Sequence, residues 1–278
     1  MAIGFEGLRD CIGRQAEACD AVTPDLVRRF NATFDITGED PVVGEPAPLG
    51  IHFCLAPVMV PTAGLGIDGH PAAAGFLPQV PLPRRMWAGS DLAFFTELRI
   101  GDPVRRVSTI ADVTVKEGRS GPLCFIAVDH EIETSGRVIL RERQNLVFLD
   151  IGSAGGADTP ADPGDRETAV AVSELLLFRY SALTFNSHLI HYDYRYCLEK
   201  EGYPGLVVHG PLQATLLLRF ASAYHDGRVP AFFKFRSHSA IYLESPILLR
   251  GRRAGDVVDC WTCVPGGPAA MIASATWK

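Results

Sequence analysis

Hydrophobic and polar positions alternate with period two along two long stretches of the chain, and a helix signal stands ahead of each. Residues 91–151, DLAFFTELRIGDPVRRVSTIADVTVKEGRSGPLCFIAVDHEIETSGRVILRERQNLVFLDI, read as a meander of long strands with turns at IGDP, KEGRSGP and TSGR. Upstream, TPDLVRRFNATF predicts a helix start, with Thr23 as N-cap and Pro24 in the first turn. Further on, PLQATLLLRFASAYHDG, Pro211 to Gly227, predicts a second helix, with proline in its first turn and glycine past its end. Its polar residues Thr215, Arg219, Ser222 and Asp226 make one narrow stripe and the rest is apolar, so this helix is expected to be buried on most sides. Strands follow it: AFFKFRSHSAIYLE, PILLRG with the turn RRAGD, VVDCWTCV, and AAMIASATWK after the PGG turn. Between the two stretches, VSELLLFRYSALT reads as a strand and a turn, HYDYRYCLEKEGY as a helix ending at Gly202, and GLVVHG as a short strand or loop. A helix followed by strands thus occurs twice. This predicts a duplicated α+β unit, one sheet wrapping one helix, with the two sheets joined edge to edge. The Gly-, Pro-, Asp- and Ser-rich run Asp150 to Thr168 reads as a linker, which places the units at 1–152 and 169–278 with the joining segment at 153–168.

Composition narrows the partners. The 278 residues are 47% hydrophobic and 21% charged, enough for a sizeable core, and the net charge is −6. With no basic stripe, nucleic acid is excluded as an expected partner. The apolar runs, CLAPVMVP and ELLLF among them, are too short to cross a bilayer, and the first twenty residues carry charges where a secretory signal needs an apolar core. A cytoplasmic protein without membrane attachment is expected. Seven cysteines, an odd number in a large chain, point to reduced thiols. Cys260 and Cys263 fit C-x-x-C, but on an alternating strand they face opposite ways, and no second pair completes a zinc site.

Two further motifs dissolve on inspection. GLGIDG, Gly64 to Gly69, matches G-x-G-x-x-G, yet the four prolines of HPAAAGFLPQVPLP follow it and cannot form the helix whose N-terminus would hold a pyrophosphate. It reads as a long loop. His188 and His191 stand three apart and three more histidines lie in the next fifty residues, but no spacing is diagnostic of a metal, so none is expected.

The remaining concentration of chemistry is ALTFNSHLIHYDYRYCLEKEGYPGLVVHGPLQATLLL. It resembles the motif region of MaoC-like (R)-specific enoyl-CoA hydratases and dehydratases of the hotdog fold, roughly Gly-Asp-x-Asn-Pro-Ile-His followed about eighteen residues on by His-Gly at the start of the central helix. LGIDGHPAAAGFLPQVPLPRRMWAGSDLAF and VKEGRSGPLCF are similar to the N-terminal half of the double-hotdog subgroup, which includes mesaconyl-CoA and itaconyl-CoA hydratases. The resemblance covers about residues 20–278 and implies an α+β double hotdog. His191 falls on the family's catalytic histidine, His209 and Gly210 on its His-Gly, and Asn186 on its catalytic aspartate. His188 stands where the family has asparagine and Leu189 where it has proline.

The chemistry can be argued beside the resemblance. Adding water across an enoyl thioester needs a base for the water proton, a proton for the α-carbon and donors for the enolate oxygen. An imidazole near neutral pH suits the first task, so His191 is the expected proton carrier. An amide cannot exchange protons, and Asn186 would fix the water. Asp193 is a candidate to orient His191. The amide of Gly210, at the start of a buried helix, suits the oxyanion, and glycine there allows the thioester close approach. His209 is a candidate for substrate contact or for support behind His191. In PRRMW, Arg84 or Arg85 is a candidate for holding a CoA phosphate or the free carboxylate of a dicarboxylic acyl chain. In the first half, FNATFD has an asparagine but no histidine five residues on, so that half would lack the catalytic motif and cover the acyl group or CoA.

The expected function is reversible hydration of an enoyl thioester, on CoA or an acyl carrier protein and of a short branched dicarboxylic type, with no cofactor beyond the CoA of the substrate. A hotdog thioesterase and a non-catalytic acyl-thioester binding protein are the alternatives. The expected assembly is a homo-oligomer, a dimer, although duplication within one chain could meet the same need.

Overall fold

The computed structural model describes residues 4–72, 75–118, 121–150 and 159–277. Strand β1 (Gln15–Ala21) leads into helix α1 (Pro24–Thr33), whose N-cap Thr23 accepts a hydrogen bond from the Leu26 amide. A long irregular segment follows, broken by short 3-10 turns at Ile51–Cys54 and Thr62–Gly64. The meander then runs as β2 (Arg84–Phe94), β3 (Pro103–Gly118), β4 (Gly121–Thr134) and β5 (Arg137–Leu149). After residues 151–158, which lie outside the described set together with the start of the expected linker, come β6 (Arg166–Val170) and α2 (Glu174–Leu183). The first three residues of β6 fall inside the segment read as linker, where they pair with the third strand of the second half.

A 3-10 turn at Leu189–His191, the single helical turn α3 (Tyr194–Tyr196) continuing as a π turn through Glu201, and α4 (Gly210–Tyr224) complete the helices. Strands β7 (Phe232–Ser237), β8 (Ile247–Ala254), β9 (Val257–Cys263) and β10 (Ala269–Thr276) close the chain. The ten strands among the described residues form one sheet in the order β1-β3-β4-β5-β2-β7-β10-β9-β8-β6, antiparallel throughout. The two halves meet at β2 and β7, where Gly89 pairs with Arg236; a Cβ on Gly89 would lie 2.2 Å from the Phe235 carbonyl oxygen, so the seam demands glycine.

Two expectations need correction. VSELLLFRYSALT is a helix, α2, because Ser173 caps it through the Leu176 amide. Its Leu175 and Phe178 stay exposed while Leu177 and Tyr180 are buried, so the outer face is as apolar as the inner and no helical period shows in the sequence. The two halves also differ in their helices. Helix α1 packs on its counterpart α2, with Phe34 edge-on to Tyr180 at 6.0 Å and Arg179 Nη1 donating to the Ala32 carbonyl. Among the described residues the first half has no counterpart of α4, because Pro46, Pro48, Pro57, Pro61 and Pro71 break up the segment where it would stand.

That segment covers the second half's helix instead. Gly50, at φ 91°, lets the backbone approach Thr215 so closely that a Cβ would lie 2.6 Å from the threonine methyl. Helix α4 is accordingly buried on nearly every side, with Thr215 and Ser222 of the polar stripe buried, Arg219 half-buried and Asp226 exposed past its end: Thr215 bonds the Pro211 carbonyl, Ser222 the Arg228 carbonyl, and Gln213 accepts from Thr262. One apolar core runs through both halves, from Phe30 and Leu92 to Tyr180, Leu212, Leu217 and Phe235. Each such fully buried side chain contributes about 1.5–3 kcal/mol.

Candidate active site

The motif region hangs on α2. The helix ends at Leu183, the chain turns through Phe185 at φ 52°, and Asn186 follows with its amide bonded back to the Ser181 carbonyl. The Asn186 side chain accepts from the His188 amide at 3.0 Å, a local turn that sets up the 3-10 turn ending in His191. His191 is buried, and its Nδ1 lies 2.7 Å from the Val207 carbonyl oxygen. A carbonyl only accepts, so Nδ1 carries the hydrogen and Nε2 keeps its lone pair. Burial pushes the His191 imidazole down to about 4, leaving it neutral and able to accept a proton. Asp193 does not orient it. That carboxylate reaches forward to accept from the Tyr196 amide and caps α3, away from the His191 ring nitrogen that Val207 holds.

His209 stands at the N-cap position of α4 with no side-chain capping bond, and its ring stacks on His191, centroids 3.6 Å apart. It is fully buried, bonded to Ser181 Oγ at 2.8 Å, with its Nδ1 unpaired, and burial drives it well below its ordinary value. No part of the ring is exposed, so His209 backs His191 rather than meeting solvent directly. Gly210 is the first residue of α4, where an amide has no intrahelical acceptor. The indole of Trp87 lies beside it, 3.9 Å from where a Cβ would stand. Asn186, His191, His209 and Gly210 are thus held on two adjoining elements, α2 with its following turns and the head of α4.

The adjacent arginines part company. Arg84 is buried and spent: Nε lies 2.8 Å from Glu201 Oε2, Nη2 donates to the Glu201 carbonyl, and the guanidinium sits over Tyr203 at 4.6 Å. Arg85, next on β2, has no ion pair or hydrogen bond among the described residues; burial pulls its value down, and Asp68 is the charge that opposes this.

The loop dismissed as a nucleotide decoy is part of the site. Asp68 accepts the Leu189 amide through its carbonyl, Ser187 Oγ donates to the Gly69 carbonyl, and a Cβ on Gly69 would fall 1.8 Å from the Ser187 oxygen. The docked loop presents Asp68 and His70, joined at 2.9 Å between Oδ2 and Nδ1. His70 lies against His188, ring centroids 4.1 Å apart, and His188 stands edge-on to His191 at 5.5 Å. Asp68, His70 and His188 offer ligand-type atoms within 4.8 Å of one another. Sequence reading missed Asp68 and His70; an Asp-Gly-His set in an otherwise apolar, proline-rich loop was the available signal.

A neutral imidazole with a free Nε2, a carboxamide and an open helix-start amide beside a ten-stranded sheet define the class of MaoC-like double-hotdog acyl-thioester hydro-lyases. The profile of the family described as hydroxyacyl-thioester dehydratase type 2 matches residues 50–243, and the chain belongs to that family. It is similar to the mesaconyl-C(4)-CoA hydratase of Chloroflexus aurantiacus, 38% identical over 267 residues that span 95% of each chain. Among solved structures it resembles the MaoC-like dehydratase of Phytophthora capsici, with TM-score 0.69, 12% identity and 99% of both chains covered. It also resembles a Mycobacterium tuberculosis protein described as a double hotdog, with TM-score 0.58, 13% identity and 95% and 96% covered. The chain is therefore a hydro-lyase of the hydratase/dehydratase kind, built as a double hotdog.

Proposed function

We propose that the protein hydrates a short, branched, dicarboxylic enoyl-CoA, of mesaconyl or itaconyl type, with the side chains and backbone of one chain and no cofactor beyond the substrate's CoA. His191 Nε2 takes the water proton as oxygen bonds the β-carbon. Asn186 holds that water, the Gly210 amide receives the enolate oxygen, and His209 props the His191 ring. The observation that carries the proton-transfer role is the His191–Val207 hydrogen bond, which fixes the tautomer that a base requires. The dicarboxylic reading is supported by Arg85, a desolvated guanidinium with no hydrogen-bonded or ion-paired carboxylate among the described residues, and by the Chloroflexus relative, whose mesaconyl group carries a free carboxylate. Arg84, engaged with Glu201, is structural in this scheme.

The 1–152 unit, joined through 153–168 to 169–278, serves as cover for a site whose motif lies in the second unit. A cytoplasmic location suits seven unpaired cysteines, and no described helix is long and apolar enough to cross a membrane. A homodimer is supported by α2, which leaves Leu175 74% and Phe178 65% exposed on its outer face; light scattering before and after Phe178→Glu tests it.

A panel of enoyl-CoAs tests the function through loss of the conjugated-thioester absorbance. Rapid loss with intact CoA on the branched dicarboxylic members, and weak turnover of monocarboxylic ones, is the expected result. Equal turnover of both rejects the dicarboxylic assignment, and free thiol release rejects hydration.

A further inference from the structure

We infer that Asp68 and His70, brought by the first half onto the motif of the second, form a second proton-carrying pair in this active site, with His70 exchanging the proton at the substrate's α-carbon. The inference rests on the hydratase reading of His191 and deepens it.

Hydration has two proton transfers, one from water and one to the α-carbon. In the motif itself His191 is assigned the water proton, and Asn186 stands where a carboxylic acid would otherwise titrate. The docked loop supplies the missing group. Asp68 holds its carboxylate ionised far below the usual range, chiefly through the hydrogen bond with His70. An ionised carboxylate only accepts, so His70 Nδ1 carries a hydrogen and Nε2 is the exchanging atom, the arrangement in which an aspartate orients and charges an imidazole. The imidazoles of His188, His191 and His209 lie in one row with that of His70, and Asp68 is the carboxylate hydrogen-bonded to that row. Burial lowers the His70 imidazole and the Asp68 hydrogen bond opposes this, so His70 is the member of the row with a bonded carboxylate to favour its charged form.

The bonds balance. His191 Nε2 accepts a proton from water while the water oxygen bonds the β-carbon. The π pair moves onto the thioester as an enolate held by the Gly210 amide, then returns to the α-carbon as that carbon takes the proton from His70 Nε2. One proton has passed from His70 to His191, and it returns along the row past His188, whose ring centroid lies 4.1 Å from that of His70 and 5.5 Å from that of His191. A divalent cation on Asp68, His70 and His188 is the competing use of these atoms. The Arg85 guanidinium acts on both His70 and His188 as a neighbouring positive charge, which opposes a doubly charged ion there more strongly than the single charge of a protonated His70.

The test uses the full chain and two readouts: hydration of the branched dicarboxylic enoyl-CoA, and deuterium uptake at the α-carbon of the saturated acyl-CoA of the same skeleton in heavy water. His70→Gln is expected to lower kcat by roughly a hundredfold or more with KM little changed, and to abolish α-exchange. Asp68→Asn is expected to lower both less severely, and serves in its place should His70→Gln not fold. His191→Gln is expected to lose hydration yet keep α-exchange. Wild-type protein that hydrates no enoyl-CoA sinks the functional reading. Active wild type with His70→Gln and Asp68→Asn both within about threefold of it, an effect confined to KM, or stoichiometric metal whose chelation stops turnover, overturns this inference alone.

Discussion

Arg84→Met separates the two arginines that the sequence left equivalent. In the folded chain the Arg84 side chain is 7% exposed and that of Glu201 11%, so the substitution leaves a carboxylate buried without its partner. Breaking one side of such a pair costs about 3–5 kcal/mol, most of it the penalty on the stranded charge. The guanidinium's place over Tyr203 adds about 0.5–1 kcal/mol. At about 2–4 °C per kcal/mol for a chain of this size class, the melting temperature should fall by roughly 7–24 °C. Arg85→Met strands no carboxylate, so its melting temperature should stay within a few degrees while KM for a dicarboxylic enoyl-CoA rises at least about tenfold, the equivalent of about 1.4 kcal/mol of lost carboxylate binding. Differential scanning calorimetry and steady-state kinetics on both variants decide the matter. An Arg84→Met protein that melts like wild type and loses dicarboxylate affinity would refute the assignment of roles.

Three other perturbations follow from the same geometry. Gly69→Ala would drive a Cβ to 1.8 Å from the Ser187 oxygen at a φ of 89°, so the loop should lift off the motif; hydration should fall by more than about tenfold with a loss of roughly 1–3 kcal/mol in stability, and wild-type kinetics would show that the docking is dispensable. Gly210→Ala meets only Trp87 at 3.9 Å, so stability should hold or rise while the added methyl crowds the thioester and lowers kcat by roughly tenfold or more; unchanged kcat would move the oxyanion site elsewhere. Burial holds His52, His130, His188 and His191 at about 3, 4, 2 and 4, below their ordinary 6.5, so their stabilising contribution is present above that value and is lost as pH falls, at up to about 1.4 kcal/mol per pH unit each. Glu142, pushed up to about 7, opposes them, its contribution being lost as pH rises from 4.5 toward 7. With His209, driven well below its ordinary value by the same burial, five histidines less one glutamic acid leave about four protons taken up on unfolding near pH 5.5. Calorimetry in buffers of different ionisation enthalpy measures that uptake, and a melting temperature flat between pH 7 and 5.5 would contradict it.

What could be read from the chain was what local physics decides. Thr23 and Pro24 start α1, Pro211 and the apolar faces mark α4, and glycine-bearing turns separate the long strands, all within a few residues of one another. The spacing of Asn186, His191 and Gly210 belongs to the same class, because one turn and one helix head hold all three. Helix α2 escaped because exposed Leu175 and Phe178 erase its period, and only the Ser173 cap betrays it. The missing partner of α4 and the fate of each arginine depend on contacts more than a hundred residues apart, Gly50 with Thr215 and Arg84 with Glu201. Asp68 and His70 were lost for the same reason, since their loop acquires meaning only where it touches Ser187 and His188.

The central claim is that the Nε2 of His191, with Nδ1 tied to Val207, moves the water proton. Single-turnover hydration of the branched dicarboxylic enoyl-CoA by His191→Gln tests it most directly, with CoA-ester binding followed in the same samples. The account predicts binding within about threefold of wild type and a hydration rate lower by roughly a hundredfold or more. A variant that binds normally and hydrates at the wild-type rate would contradict it.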